Sequence, residues 1–374
     1  MKNVDGDSHF MEPLDLFERH IDPALRERAV KIATDPATRK RVMLCDNRPL
    51  KLRDTEIGEL LGIFTGYGQK EEGANASSFD QYKAYSEQWQ DMDARVRFLD
   101  EEEIAFQAIY PSLGIVWEGS LDDPILADAL CRAYNRYALD LVAGHRTRLF
   151  PAAHISLRDS ALAVAELKRV AKLGCRTAFV SAAPLNGRSF GHPAYDPVWA
   201  TAQDLDMSIG LHLVTHRNYT GSAWQKDPKP SMMYFTMNLI QDPRQALTTM
   251  VVDGVFERFP RLRVATVEAM VGWVGEWLER LDYRYSYMGH TSQMKRTAAE
   301  YFARNIWVSG DPGEKMFKYI VQFAGDDKFF IGSDYPHAEG CVHPVAKARA
   351  QLASLPPASI EKILCKNACD FYRI

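Results

Sequence analysis

The chain has 374 residues, of which 46% are hydrophobic and 25% charged, close to the average for a globular protein, which excludes a disordered or low-complexity chain. The formal charge of -4 is spread along the sequence without a basic block, so no nucleic-acid or membrane partner is indicated, and no apolar run approaches the roughly 18 to 20 residues that cross a bilayer. The expectation is a cytoplasmic protein with a small-molecule partner, its six scattered cysteines reduced thiols.

The first predicted strand is Val4 to Met11, ended by Glu12-Pro13, since the residue before a proline is biased toward extended backbone. It carries Asp7 and His9 two residues apart. On a strand that spacing turns a carboxylate and an imidazole to one face. A polar, proline-punctuated region follows, from about residue 14 to 90, too long for a plain connection and therefore read as a cap or arm.

A helix through Trp89 to Leu99 leads to a β-rich run, Ile104 to Tyr110, closed by Pro111-Ser112. Acids and a proline at Asp122-Asp123-Pro124 open a helix whose apolar residues recur at helical spacing as far as Leu141. Arg148 to His154 is the third strand; Ser160 to Leu173 is an amphipathic helix capped by Gly174; Arg176 to Ser181 is the fourth strand. Asp196 to Leu205 reads as helix, Met207 to Leu213 as a strand carrying His212, and Pro243 to Phe259 as helix. Leu262 to Glu268, Asn305 to Ser309 and Lys328 to Asp334 complete the strands, with helices at Gly272 to Tyr287, Pro312 to Phe323 and Pro344 to Tyr372.

Eight strands alternating with helices predict an α/β fold of the (β/α)8 barrel type, one domain over residues 1–374 with insertions at about 14–90 and 216–242. The second insertion, with Trp224, Met232, Met233, Tyr234 and Phe235, would form a lid or a subunit interface. Polar residues gather at the C-terminal strand ends, the rim on which such barrels build their sites. Asp7, His9, His212 and Asp334 there make a divalent-metal site. Taken singly, His212 also reads as a satisfied core imidazole and Asp334 as a cap or turn residue; the four on one rim favour the metal.

Several stretches then carry a resemblance: Asp5 to Pro13, Ala133-Tyr134-Asn135, His192 to Trp199, Gly254 to Pro260 and Gly332 to His337. In this order they resemble the amidohydrolase-related family of metal-dependent barrels that includes aminocarboxymuconate semialdehyde decarboxylase and the aromatic-acid decarboxylases. The resemblance implies one divalent ion per chain, zinc with manganese as the other choice, held by Asp7, His9, His212 and Asp334, and it implies a homodimer. Two departures stand out. Asp7-Ser8-His9 replaces the His-x-His or Glu-x-His of many relatives, and Glu268 stands where the decarboxylases keep a catalytic histidine. The strand Arg176 to Ser181 holds no lysine to bridge a second ion.

Glu268 is read as a general base, or alternatively as a ligand or a group that orients one, with Asp334 sharing proton transfer and His337 orienting or touching substrate. The first expectation is hydrolysis of a small carboxylated organic acid, aromatic or otherwise, by a metal-activated water; the alternative is non-oxidative decarboxylation of an aromatic or muconate-type acid. Tyr110, Trp117, His154, His216 and Arg217, which follow strand ends, are candidate substrate contacts, each open to a packing role as well.

Overall fold

The computed structural model of the chain describes residues 3–35, 39–52, 55–56, 61, 64–68, 79–216, 224, 234, 236 and 241–374. Its centre is built from two parallel sheets. In the first, β1 (Asn3–His9), β2 (Ile104–Tyr110) and β3 (Leu149–Pro151) lie in that order. In the second, β4 (Ala153–His154), β5 (Thr177–Ser181), β6 (Ser208–His212), β7 (Val264–Val267), β8 (Ile306–Gly310) and β9 (Phe329–Ile331) follow one another in chain order. Strands β5 and β6 are buried along their whole length and do not alternate apolar with polar, as expected of parallel strands covered on both faces.

The two sheets meet at two places. Only Ala152, whose N–H donates to Ile109 O at 2.8 Å, separates β3 from β4, so the predicted strand Arg148 to His154 is divided between the sheets. At the other seam His9 N–H donates to Tyr335 O at 2.7 Å and Asp334 N–H to Asp7 O at 3.0 Å. Chain start and chain end thereby lie side by side.

Outer helices form where capping chemistry allows. Pro124–Leu141 begins at Asp123, whose carboxylate accepts from Ile125 N and Leu126 N, and Ser160–Lys172 begins at Asp159 in the same way. Asn135, on the first of these helices, brackets the edge strand: it donates to His154 O and accepts from His154 N.

Several expected boundaries move. The helix read over Trp89 to Leu99 runs instead from Met92 to Glu101, because Asp91 caps its start, and a separate helix, Phe79–Gln88, precedes it. Pro243 to Phe259 divides into Gln241–Val252 and Val255–Arg258 at Gly254, whose φ of +73° a residue with a side chain rarely adopts. A further helix, Ala298–Asn305, was not expected; Thr297 and Glu300 form its capping box. The final stretch is interrupted at Pro356-Pro357 and contains a π-helical turn, Lys362–Lys366. The first insertion contributes a small antiparallel sheet, Lys31–Thr34, Arg41–Cys45 and Arg48–Pro49. Among the described residues no helix is long and apolar enough to cross a membrane.

Candidate metal centre

Asp7 and His9 close β1, His212 closes β6, Glu268 follows β7 and Asp334 follows β9. Their polar atoms converge. His9 Nε2 is 3.6 Å from Asp7 Oδ1, 3.3 Å from Asp334 Oδ1 and 3.8 Å from Glu268 Oε2, while His212 Nε2 is 3.0 Å from Glu268 Oε2. Glu268 and Asp334 hold left-handed backbone, φ +54° and +55°, a strained conformation for residues with side chains and one that recurs at functional sites.

The second ring nitrogens settle the tautomers. His9 Nδ1–H donates to Pro111 O at 3.2 Å and His212 Nδ1–H to Leu213 O at 2.8 Å, which leaves both Nε2 lone pairs facing the centre. Asp7 Oδ1, His9 Nε2, His212 Nε2, Glu268 Oε2 and both carboxylate oxygens of Asp334 are buried without a hydrogen-bond partner. Orphaned acceptors of this kind are costly in a folded protein. Two imidazoles with carboxylate oxygens are also a donor set for zinc or manganese, so these residues fit a divalent ion.

Electrostatics point the same way. Burial, and then repulsion from Glu268, holds the carboxyls of Asp7 and Asp334 well above the usual range. Burial, followed by the neighbouring rings of His337 and His212, pushes His9 well below that of a free imidazole. A bound cation would relieve the carboxylate repulsion and use the neutral imidazole.

The adjoining cavity, about 120 Å3, is lined by Asp7, Glu268, Met270, Ser309, Gly310, Asp311, Gly332, Asp334 and Glu339. Five of these are carboxylates, and no described lysine or arginine lines it. Glu339 and Asp311 were not anticipated from the sequence; Glu339 follows Asp334 by five residues on the same loop. A larger cleft of about 460 Å3 lies on the N-terminal arm, between residues such as Leu14, His20 and Gln90, and holds none of the converging groups.

His337 stacks on His9 with ring centroids 4.0 Å apart; its Nδ1 is 2.8 Å from Asp334 Oδ1 and its Nε2 2.6 Å from Ser112 Oγ. Phe64 also packs against the ring of His337, centroids 4.7 Å apart.

Of the expected substrate contacts, Tyr110, Trp117, His154 and His216 do not line this cavity. Tyr110 is buried with its ring 5.5 Å from His212 and its hydroxyl 3.0 Å from that of Tyr372. His154 and Trp117 lie against each other, and His154 Nε2 pairs with the buried Glu118 at 2.8 Å. His216 Nε2 is 2.7 Å from Asp242 Oδ2. Arg217 and most of the 216–242 insertion fall outside the described residues.

Three comparisons bear on this centre. The amidohydrolase family model matches residues 5–374. A 2-amino-3-carboxymuconate-6-semialdehyde decarboxylase of Dictyostelium discoideum is 21% identical over 291 residues, covering 75% of this chain and 76% of that protein. Among solved structures, an amidohydrolase from Mycobacterium avium subsp. paratuberculosis K-10 is 25% identical, with a TM-score of 0.82 over 100% of this chain and 98% of that one. A 5-carboxyvanillate decarboxylase from Novosphingobium aromaticivorans, solved with bound manganese, shares the fold at 15% identity, with a TM-score of 0.70 over 100% of this chain and 97% of that one.

Proposed function

The chain belongs to the amidohydrolase family, and on that footing we propose that it is a divalent-metal-dependent carboxy-lyase releasing carbon dioxide from a small aromatic or muconate-type acid. The observation that carries the reading is the convergence of unpartnered acceptors from Asp7, His9, His212, Glu268 and Asp334 on one buried point. The decarboxylase names among its relatives favour carbon dioxide release over the hydrolysis expected first. The eight strand positions of a closed barrel belong to the same proposal, supported by the hydrogen bonds at both seams between the sheets.

Asp7, His9, His212 and Asp334 would hold the ion, manganese or zinc. When bound, the metal supplies the positive charge that anchors the substrate carboxylate and stabilises charge developing as the carbon–carbon bond breaks. Without it the five carboxylates lining the cavity would repel an anionic substrate. Asp334, which lines the cavity together with Glu268, would deliver the proton that replaces carbon dioxide on carbon, and Glu268 would return one to it. His337, stacked on His9 and with Ser112 at its Nε2, would keep its Nδ1 beside Asp334.

Hydrolysis stays as the second reading, because a carboxylate at Glu268 is a competent base for activating water. The experiment is to load the protein with manganese or zinc, offer hydroxylated aromatic acids and muconate-type acids, and follow carbon dioxide alongside oxygen-18 uptake from solvent. Carbon dioxide with no label in the organic product supports the proposal, and labelled product without carbon dioxide replaces it by hydrolysis. A homodimer is proposed on family resemblance, and light scattering of the purified protein tests it.

A further inference from the structure

Arg95, on the helix Met92–Glu101, is a cation in the interior, its residue 3% exposed and outside the cavity. Burying a guanidinium is costly unless every donor finds a partner. Its partners are specific. Nη1 donates to His9 O at 2.8 Å, Nη2 to Ser8 Oγ at 3.2 Å and to Tyr335 O at 3.4 Å, and Nε to Gln107 Oε1 at 2.7 Å. The guanidinium also lies over the rings of Tyr335 and Phe10, 5.1 and 5.8 Å from their centroids.

These contacts fall on the seam between β1 and the segment after β9. His9 supplies one candidate ligand, and Tyr335 directly follows another, Asp334. The regular ladder of β9 ends at Ile331, so Asp334 sits past it, on left-handed backbone, held to β1 by the two backbone bonds of the seam. The carbonyl of Tyr335 receives both His9 N–H and the guanidinium. Gln107 passes the network on: its Nε2 donates to Asp5 Oδ2 at 2.6 Å, and Asp5 Oδ1 accepts from Ser333 N at 2.8 Å, one residue before Asp334. The fork geometry of arginine serves three directions at once, which the point charge of a lysine does not.

We propose that Arg95 is a positioning residue of the metal centre, tying the backbone of His9 to that of Tyr335 and so setting the separation of the ligands Asp7 and His9 from Asp334. The inference rests on the metal reading above. Groups that orient metal ligands typically change affinity by about 10- to 100-fold when lost.

The test uses full-length Arg95→Lys and Gln107→Leu beside wild type, each stripped of metal and titrated with Mn2+ against a competing chelator. Melting of the metal-free forms and the electron paramagnetic resonance spectrum of bound Mn2+ are recorded with it. Expected for Arg95→Lys is Mn2+ binding weakened by about 10-fold or more with a broadened Mn2+ spectrum, by a factor that its metal-free melting shift does not predict. Gln107→Leu, which leaves the guanidinium but removes its Nε partner, weakens binding in the same direction by less. If Arg95→Lys does not accumulate as folded protein, Gln107→Leu decides alone. Wild-type affinity in the folded variants, with wild type itself binding Mn2+, overturns the positioning role. No Mn2+ binding by wild type overturns the metal reading and this inference with it.

Discussion

His212 Nε2 and Glu268 Oε2 stand 3.0 Å apart, and neither has a hydrogen-bond partner. The proton of His212 is on its other nitrogen, donated to Leu213 O. Two lone pairs therefore face each other across a distance at which they repel unless a cation lies between or beside them.

From this follows a prediction about occupancy. Wild type should bind about one Mn2+ or Zn2+ per chain, and its melting temperature should rise with added metal, since a ligand that binds only the folded state stabilises it. His212→Ala and Asp334→Ala should each retain little metal after dialysis and lose the metal-dependent rise in melting. Elemental analysis with thermal unfolding reads both; full occupancy in either variant would sink the ligand assignment.

Glu268→Gln separates proton transfer from binding. The amide keeps the shape and one acceptor oxygen but cannot carry a proton at neutral pH. Metal content should stay near wild type while turnover falls by roughly 10²- to 10⁴-fold, the range for losing a general acid or base. Turnover within a few-fold of wild type would remove Glu268 from the chemistry.

Gly332 is packed against a ligand: a Cβ there would come within 2.4 Å of Asp7 Cβ and 2.7 Å of Ser309 Oγ. Gly332→Ala must displace Asp7 or the strand beside it. The overpacking should cost about 1–3 kcal/mol of stability and weaken metal binding as well. A variant with unchanged melting and metal affinity would show that Asp7 can be moved without consequence.

Glu12 offers a pH signature. It accepts from Ser112 N and Leu113 N in a buried site, and burial pushes its carboxyl from the usual 4.5 up to about 8. Between those values the folded chain keeps a proton that the unfolded chain has released, so stability falls as pH rises through this window. Glu12→Gln removes that dependence. In metal-free protein the stability of the variant relative to wild type should grow from acid pH toward pH 8, measured by denaturant unfolding at each pH; a flat difference would show that Glu12 is ionised in the folded state throughout.

The readable part of this protein lay in local patterns. Apolar runs bounded by proline and glycine marked the strands, aspartates before proline or small residues marked helix starts, and the alternation of both marked an α/β fold with parallel strands. Asp7 and His9 were legible because two residues on one strand share a face whatever the rest of the chain does. His212, Glu268 and Asp334 were legible as candidates only because each is a polar residue closing an apolar run.

What surrounds those residues was decided only by tertiary contacts. Asp5 has the same spacing from Asp7 that Asp7 has from His9, yet the pairing of β1 with β2 shifts register between Asp5 and Ser8, and Asp5 turns to Gln107 and Ser333 instead. His154 and Trp117, read as substrate contacts, lie with Glu118 in a buried cluster, because a strand-end position does not say which side of the sheet a ring will find. Arg95 was not singled out by the sequence. Its role on the seam depends on His9 and Tyr335, which are distant from each other in the chain and meet only when the first and last strands lie together. Local periodicity determines which residues can point the same way; which of them share one point in space is set by the packing of strands from opposite ends of the chain, and no short-range pattern contains that information.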